Sequence, residues 1–484
     1  MRRSAALLAL LATGCMSMEP KLAPPDPAIP ASWPLGAQPV VQSEVALPAV
    51  TYKQIFTDIR LQTLISQALV NNRDLMVAAA NIAAAREQYR IQRANQLPEL
   101  NANTNATLTG SDTSDVAAQY RTGVNVPNFE IDLFGRLRSL TRAQLQQYLA
   151  TEAGARATRL TLVSDIADAW LRYGADSSLL LVARQTAESA QRSARITRLR
   201  LEGGIAPRTD LRRAEQILTQ AQADLAQQQT FLAQDLNALQ LLVGAPVDRS
   251  LLPGSIDEAG PTIAELPAGI DSYVLLRRPD VVQAEYQLRA ANADIGAARA
   301  ALFPRITLTG LLGLASSALT SLFSGSALGW SAGADASYNI FNAGAGRANV
   351  RLSEAQRNAA LARYQRAVQT AFREVSDALA RRATIDAEVG ATQRRQAAAA
   401  DVVLLEEARY RAGIASYLDL LDAQRSYYAV QQNLVRTRLT AAQNRVALYQ
   451  TLGGDPQLQM APVCEVQYVS SASSAKLASQ CSPM

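Results

Sequence analysis

Histidine is absent from this chain, cysteine occurs three times, and aromatic residues make up only 5% of it. Without imidazoles, and with so few thiols, neither a metal centre nor His-dependent catalysis is expected. The net charge of +5 is small for 484 residues. The basic residues are scattered, with no Lys/Arg tract and no interleaved aromatics, which leaves nucleic-acid binding without support. Beyond the N-terminus no window of about 18 uninterrupted apolar residues occurs, so no transmembrane helix is expected in the mature chain. A β-barrel is then the only structure by which it could cross a bilayer.

What is present begins at the N-terminus. Arg2 and Arg3 precede a short apolar run, Ala5 to Ala12, followed by Thr13, Gly14 and Cys15. That order reads as a bacterial export signal, too short to span a membrane. A cysteine directly after small residues suggests a lipoprotein signal, with Cys15 diacylated and residues 1–14 removed. Ala12 stands where the usual lipobox has leucine, so an ordinary signal peptide with an incidental cysteine is the alternative. Met16 carries no inner-membrane retention signal, and an acyl anchor would hold the chain to a leaflet without a spanning helix. Cys464 and Cys481 then remain in the C-terminal tail (457–484), either as a disulfide in an oxidising periplasm or as two free thiols.

The chain is an internal duplication. Asp74, Arg93 and Pro98 recur as Asp280, Arg299 and Pro304 at a spacing of 206 (98 against 304). Asp168, Gly204, Asp210, Leu225 and Gly244 recur as Asp377, Gly413, Asp419, Leu434 and Gly453 at a spacing of 209 (244 against 453). One register held across most of the chain means two copies of one large unit, 51–260 and 261–456, after a linker at 15–50.

Each copy reads in the same order. A helix of about 35 to 40 residues is expected to end at Pro98 or Pro304. Polar stretches with period-2 character follow. Leu100, Ala102, Thr104, Ala106 and Leu108 alternate with asparagine and threonine, then come a loop at 110–118 and a strand from Tyr120 to Glu130. In the second copy Ile306, Leu308, Leu312 and Leu314 go out, and Trp330, Ala332, Ala334, Ala336, Tyr338 and Ile340 return. This is the pattern of transmembrane strands, although soluble hairpins share it. Four strands cannot close a barrel, so a membrane role requires oligomers, and three chains would give twelve strands. Helical runs of about 60 residues (137–200 and 346–409) then lead to glycine turns and shorter returning helices. Helices of ~90 Å need lateral neighbours.

At this point the residues resemble a known family. Phe129-Glu130-Ile131-Asp132-Leu133-Phe134-Gly135-Arg136, Arg278-Pro279-Asp280, Ala290-Ala291-Asn292-Ala293-Asp294-Ile295-Gly296, Phe303-Pro304, Asn339-Ile340-Phe341-Asn342-Ala343-Gly344 and Leu418-Asp419-Leu420-Leu421-Asp422 carry the likeness. They resemble the TolC-like outer-membrane efflux proteins, in particular the lipidated, NodT/OprM-like branch serving RND-type drug pumps. The resemblance implies a mainly α fold, a trimeric 12-stranded β-barrel on a 12-helix α-barrel. It implies a channel passing small molecules out of a Gram-negative cell, with a periplasmic adaptor and an inner-membrane transporter as partners. A duct for type I protein secretion is the alternative.

By the same resemblance Asp419 and Asp422, spaced i,i+3 on one helix face, would form rings of carboxylates around a pore constriction. Tyr410 and Asp210 match positions that help keep such a pore shut. A basic partner supplied by some relatives falls on Ala415 here. Gly204-Ile205-Ala206 and Gly413-Ile414-Ala415 match the tip turns where the adaptor docks. Glycine there also serves as a helix C-cap. No enzyme activity and no cofactor is expected beyond the lipid on Cys15. Gly344-Ala345-Gly346 hints at a dinucleotide loop, but its third glycine is replaced by Asn349 and no βαβ alternation follows.

Overall fold

The computed structural model describes residues 17–23, 51–111, 114–265, 272–453 and 455. The readings made on Cys15, Cys464 and Cys481 lie outside the described residues. After Thr51 come α1 (Tyr52–Ile55), α2 (Ile59–Asn71) and α3 (Arg73–Ala94). Strands β1 (Asn101–Ser111) and β2 (Ser114–Ile131) lead into α4 (Arg136–Glu202) and α5 (Arg208–Val243). A short α6 (Ile256–Ala259) precedes the second copy: α7 (Pro279–Ala300), β3 (Arg305–Ser316), β4 (Leu328–Ser337), α8 (Ala345–Arg411) and α9 (Tyr417–Leu452). None of the described helices is long and apolar enough to cross a membrane.

The duplication is visible in the element limits. α3 and α7 begin and end 206 positions apart, while α4 and α8, like α5 and α9, begin and end 209 apart. The six glycines with positive φ also form three pairs at that spacing: Gly135 and Gly344, Gly204 and Gly413, Gly244 and Gly453. At 67 residues each, α4 and α8 are about 100 Å long at 1.5 Å per residue.

Three expectations need correction. The helix of 35 to 40 residues is broken in each copy. Asn72 adopts extended angles, caps the next helix by accepting from the Leu75 amide at 3.1 Å, and donates to the Leu242 carbonyl at 2.8 Å. In the second copy Pro279 opens the helix, and proline disfavours helix at Arg278 before it. The loop expected at 110–118 is much shorter, because the ladder continues through Leu108 with Ala118 and Thr109 with Ala117. The pairing runs through the backbone as far as Ser111 with Ser114 and does not depend on apolar alternation. The return strand ends at Ser337, short of Tyr338 and Ile340. Its last partner is Arg305, and Pro304 beyond it has no N–H to continue the ladder.

The chain forms two compact units, each drawing on both copies. The first contains the four strands, an antiparallel meander in the order β1-β2-β3-β4. Register sorts its side chains cleanly. One face carries Ala102, Ala106, Leu108, Tyr120, Val124, Val126, Phe129, Ile131, Ile306, Leu308, Leu312, Leu314, Leu328, Trp330 and three alanines of β4. Its threonine pair, Thr104 and Thr122, bond each other at 3.0 Å. The opposite face carries Asn101, Asn103, Asn105, Arg121, Asn125, Glu130, Arg305, Thr307, Thr309 and Asp335, with Leu311, Ala117 and Ala315 as apolar exceptions. Gly123 and Gly313 face each other where β2 and β3 approach closely, and a Cβ on Gly313 would lie 2.4 Å from the Thr122 carbonyl oxygen. Where β2 gives way to α4, Glu130 pairs with Arg136 at 2.7 Å and Arg305 at 3.2 Å, and Phe134 stacks on Phe303.

The second unit holds the largest apolar core. Phe56, Leu61, Leu64, Ile65, Ile166, Trp170, Leu239, Ile256 and Ile263 are fully buried, and Phe56 meets Tyr449 edge-on at 5.2 Å. The two copies share a joint here. Arg278, paired with Asp280 and Glu374 at 2.8 Å each, donates to the Thr451 carbonyl. Thr451 is the counterpart of Leu242, to which Asn72 donates. Two unlike side chains thus cap the same carbonyl, beside the left-handed glycines Gly244 and Gly453.

Candidate functional site

The residues singled out in the sequence meet in the second unit, where the ends of α4 and α8 turn back into α5 and α9. Both turns are Schellman motifs. Ile205 N–H donates to the Arg200 carbonyl at 2.8 Å and Gly204 N–H to Leu201 at 3.0 Å. Ile414 N–H donates to Arg409 at 2.9 Å and Gly413 N–H to Tyr410 at 3.1 Å. Gly204 and Gly413 have φ of +70° and +74°, the left-handed cap conformation that glycine adopts without strain. A Schellman turn usually folds its following apolar residue back onto the helix. Ile205 and Ile414 instead stay 70% and 74% exposed. Ala206 and Ala415 continue each turn, donating to the carbonyls of Arg200 and Arg409.

The two returning helices start differently, and that difference sorts the aspartates. Ser416 caps α9 in a capping box: its hydroxyl receives the Asp419 amide, and its own amide donates to Asp419 Oδ2 at 3.1 Å. Its hydroxyl also donates to Asp419 Oδ2 at 2.9 Å. In the first copy Pro207 stands at the cap and has no hydroxyl. Asp210, the counterpart of Asp419, is thereby released to lie 4.0 Å from Arg213. Its charge also reaches Tyr417, whose phenol burial and the neighbouring Tyr410 and Asp210 push up to about 12. Asp419 and Asp422 are both exposed on one side of α9, while Tyr417, Leu420 and Leu421 are buried on the other. The counterpart of Asp422 is Arg213, so the doubled carboxylate belongs to the second copy alone.

Arg200, which the sequence reading missed, joins the hairpins. Its guanidinium lies 4.5 Å from the Tyr410 ring centroid and donates to the Tyr410 carbonyl at 3.0 Å. Tyr410 is buried against Tyr417, ring centres 5.5 Å apart, and its hydroxyl is buried without a hydrogen-bond partner. Ala415 offers no cation here, and the guanidinium on this tyrosine comes from α4. One available signal was position: Arg200 and its counterpart Arg409 both accept the turn's closing hydrogen bond.

The sequence profile of the outer membrane efflux protein family matches residues 64–245 and 272–454. The chain is 39% identical over 461 residues, 93% of its length, to a probable efflux pump outer membrane protein, TtgC, of Pseudomonas putida, covering 95% of that protein. It is 36% identical to the cation efflux system protein CusC of Escherichia coli over 92% of this chain and 98% of that one. Among solved structures, a membrane protein of Pseudomonas aeruginosa superposes with a TM-score of 0.83 at 38% identity, covering 90% of this chain and all of that one. The open state of the Neisseria gonorrhoeae MtrE outer membrane channel superposes with a TM-score of 0.81 at 34% identity, covering 91% and 98%.

Proposed function

Because the chain belongs to the outer membrane efflux protein family, and so is an outer-membrane component of an efflux pump, we propose that it works as a passive homotrimeric duct. Each of the three chains contributes four strands to a twelve-stranded barrel and four long helices to a periplasmic tube. The observation that carries this is the sheet: four strands with two open edges, apolar on one face and polar on the other. Such a sheet is incomplete alone and becomes a lipid-facing, water-filled barrel once its edges find identical neighbours. The chain performs no chemistry of its own. An inner-membrane transporter supplies the energy, and a periplasmic adaptor engages the exposed isoleucines of the tips, Ile205 and Ile414. Acylation of Cys15 anchors the chain.

In this reading Asp422, with Asp419 behind it, lines the periplasmic constriction as rings of carboxylates that attract cations. The Arg200–Tyr410 contact holds the α8–α9 hairpin against α4–α5 in the closed state. Opening requires Arg200 to leave the Tyr410 carbonyl and ring. The cargo is small toxic molecules; relatives are named for antibiotics, toluene and cations. The test is reconstitution. Purified protein should form trimers and discrete channels in planar bilayers, and a deletion strain should regain drug tolerance from the wild-type gene. A monomer without conductance would overturn the proposal.

A further inference from the structure

Residues 17–23 run along the first unit and enter a site that is built to receive them. Asn292, on α7, is 2% exposed, and its Nδ2 donates to the Pro20 carbonyl at 2.9 Å and to Glu19 Oε1 at 3.3 Å. Its Oδ1 is buried without a partner, so the side chain is spent on this segment alone. One turn further along α7, Gly296 leaves the space. A Cβ there would lie 2.8 Å from Ser139 Oγ and 3.0 Å from Glu19 Cα. From α4, Arg142 closes an ion pair onto the Glu19 carboxylate. Glu19 is thus held from both sides, while Lys21 is exposed.

We infer that Asn292, Gly296, Ser139 and Arg142 form a receptor for the segment that follows the acylated cysteine, fixing the lipid's height against the barrel rim. The proposal rests on the reading of Cys15 as the anchor. Its geometry comes from chain lengths. Cys15 precedes Glu19 by four residues, an extended reach of at most ~14 Å. Ser139 and Arg142 lie three and six residues into α4, ~5 and ~9 Å from its start at 1.5 Å per residue. That start is five residues after β2 ends at Ile131. The cradle therefore ties the acyl chains to the leaflet that the strand ends meet.

The chain has three lysines, Lys21, Lys53 and Lys476, so a protease that cleaves only after lysine reads the segment directly. Purified wild-type trimer should be cut at Lys21 at least tenfold more slowly than Gly296→Leu, in which the side chain fills the slot. Glu19→Ala and Arg142→Ala, which lose the ion pair, should speed the cut severalfold. If Gly296→Leu fails to form trimers, those two variants decide alone. Cleavage at the wild-type rate in the variants overturns the receptor. The anchor is read separately, by labelled palmitate. Wild type that takes up no label removes the anchor reading, whereas Cys15→Ser should lose the label and keep the protection at Lys21. Loss of that protection in Cys15→Ser would overturn the receptor, since lipid rather than side chains would then hold the segment.

Discussion

Asp235 and Asn444 occupy the same place in the two copies, 209 positions apart. Asn444 donates to the Ala378 carbonyl at 3.0 Å, a neutral amide tying α9 to α8. Asp235 faces α4 with a carboxyl that burial, a hydrogen bond to Asp176 and that residue's charge push up to about 7, against the pull of Arg172. Tyr173 on α4 is raised by its own burial, pulled the other way by Arg249, and raised in turn by the Asp235 charge. A protonated Asp235 can do what the amide does. The sign follows: a carboxyl raised in the folded state stabilises fully below its unfolded value near 4, and the contribution is lost as pH rises toward 7. Amide exchange of α4 and α5 should accelerate from pH 5 to pH 8 beyond its intrinsic pH dependence, by on the order of 1 kcal/mol of opening free energy. Asp235→Asn should remove most of that extra slope; an unchanged slope would contradict the role given to the raised Asp235 carboxyl. The paired aspartates give a second test at this scale. Asp419 is committed to the Ser416 cap, so Asp419→Ala should cost about 1 kcal/mol of stability in denaturant melts. Asp422→Ala should leave stability alone and lower cation preference in bilayers.

Between elements, the proposed closure rests on Arg200 against the Tyr410 ring and carbonyl. Arg200→Ala removes both the carbonyl hydrogen bond and the cation over the ring, together about 1 to 2 kcal/mol. That corresponds to roughly a five- to thirtyfold higher open-to-closed ratio per hairpin in single-channel records, seen as shorter closed dwells. Arg200→Lys, with a cation but no planar fork, should fall between. Equal dwell times in all three proteins would show that closure is held elsewhere. The element scale also shows what was legible in advance. The long helices could be read because nothing in them halts a helix until Gly203-Gly204 and Gly413, and the tip turns because glycine at C′ has one conformational use. The break at Arg278 carries its own mark in Pro279. The break at Asn72 could not be read from Ala-rich periodicity, because it is set by the Leu242 carbonyl, 170 positions away, that needs a donor. Arg200 was hidden for the same reason: its partner's carbonyl lies 210 positions on. The aspartates at the tips were found, but which of them caps a helix turned on Pro207 against Ser416.

For the whole molecule, the consequence of the register is that β1 and β4 each leave an edge open, and that one face of the sheet must meet lipid. Leu312 lies on the apolar face, between Val124 of β2 and Trp330 of β4. Thr309 lies on the other face, opposite Gly333. The two positions are three residues apart on one strand, so propensity and local backbone hardly distinguish them. A charge at Leu312 would have to enter hydrocarbon, at a cost of about 2 to 4 kcal/mol near the midplane, repeated in each copy of the assembly. At Thr309 the same charge would point into water. Leu312→Arg should therefore deplete the heat-sensitive trimer band from the outer-membrane fraction. Thr309→Arg should keep that band and lower cation conductance through the barrel. The reverse pattern would mean that the sheet is turned inside out relative to its register, and equal assembly of both variants would mean that neither face meets lipid. The comparison is sharp because a one-residue slip exchanges the two faces along the whole strand.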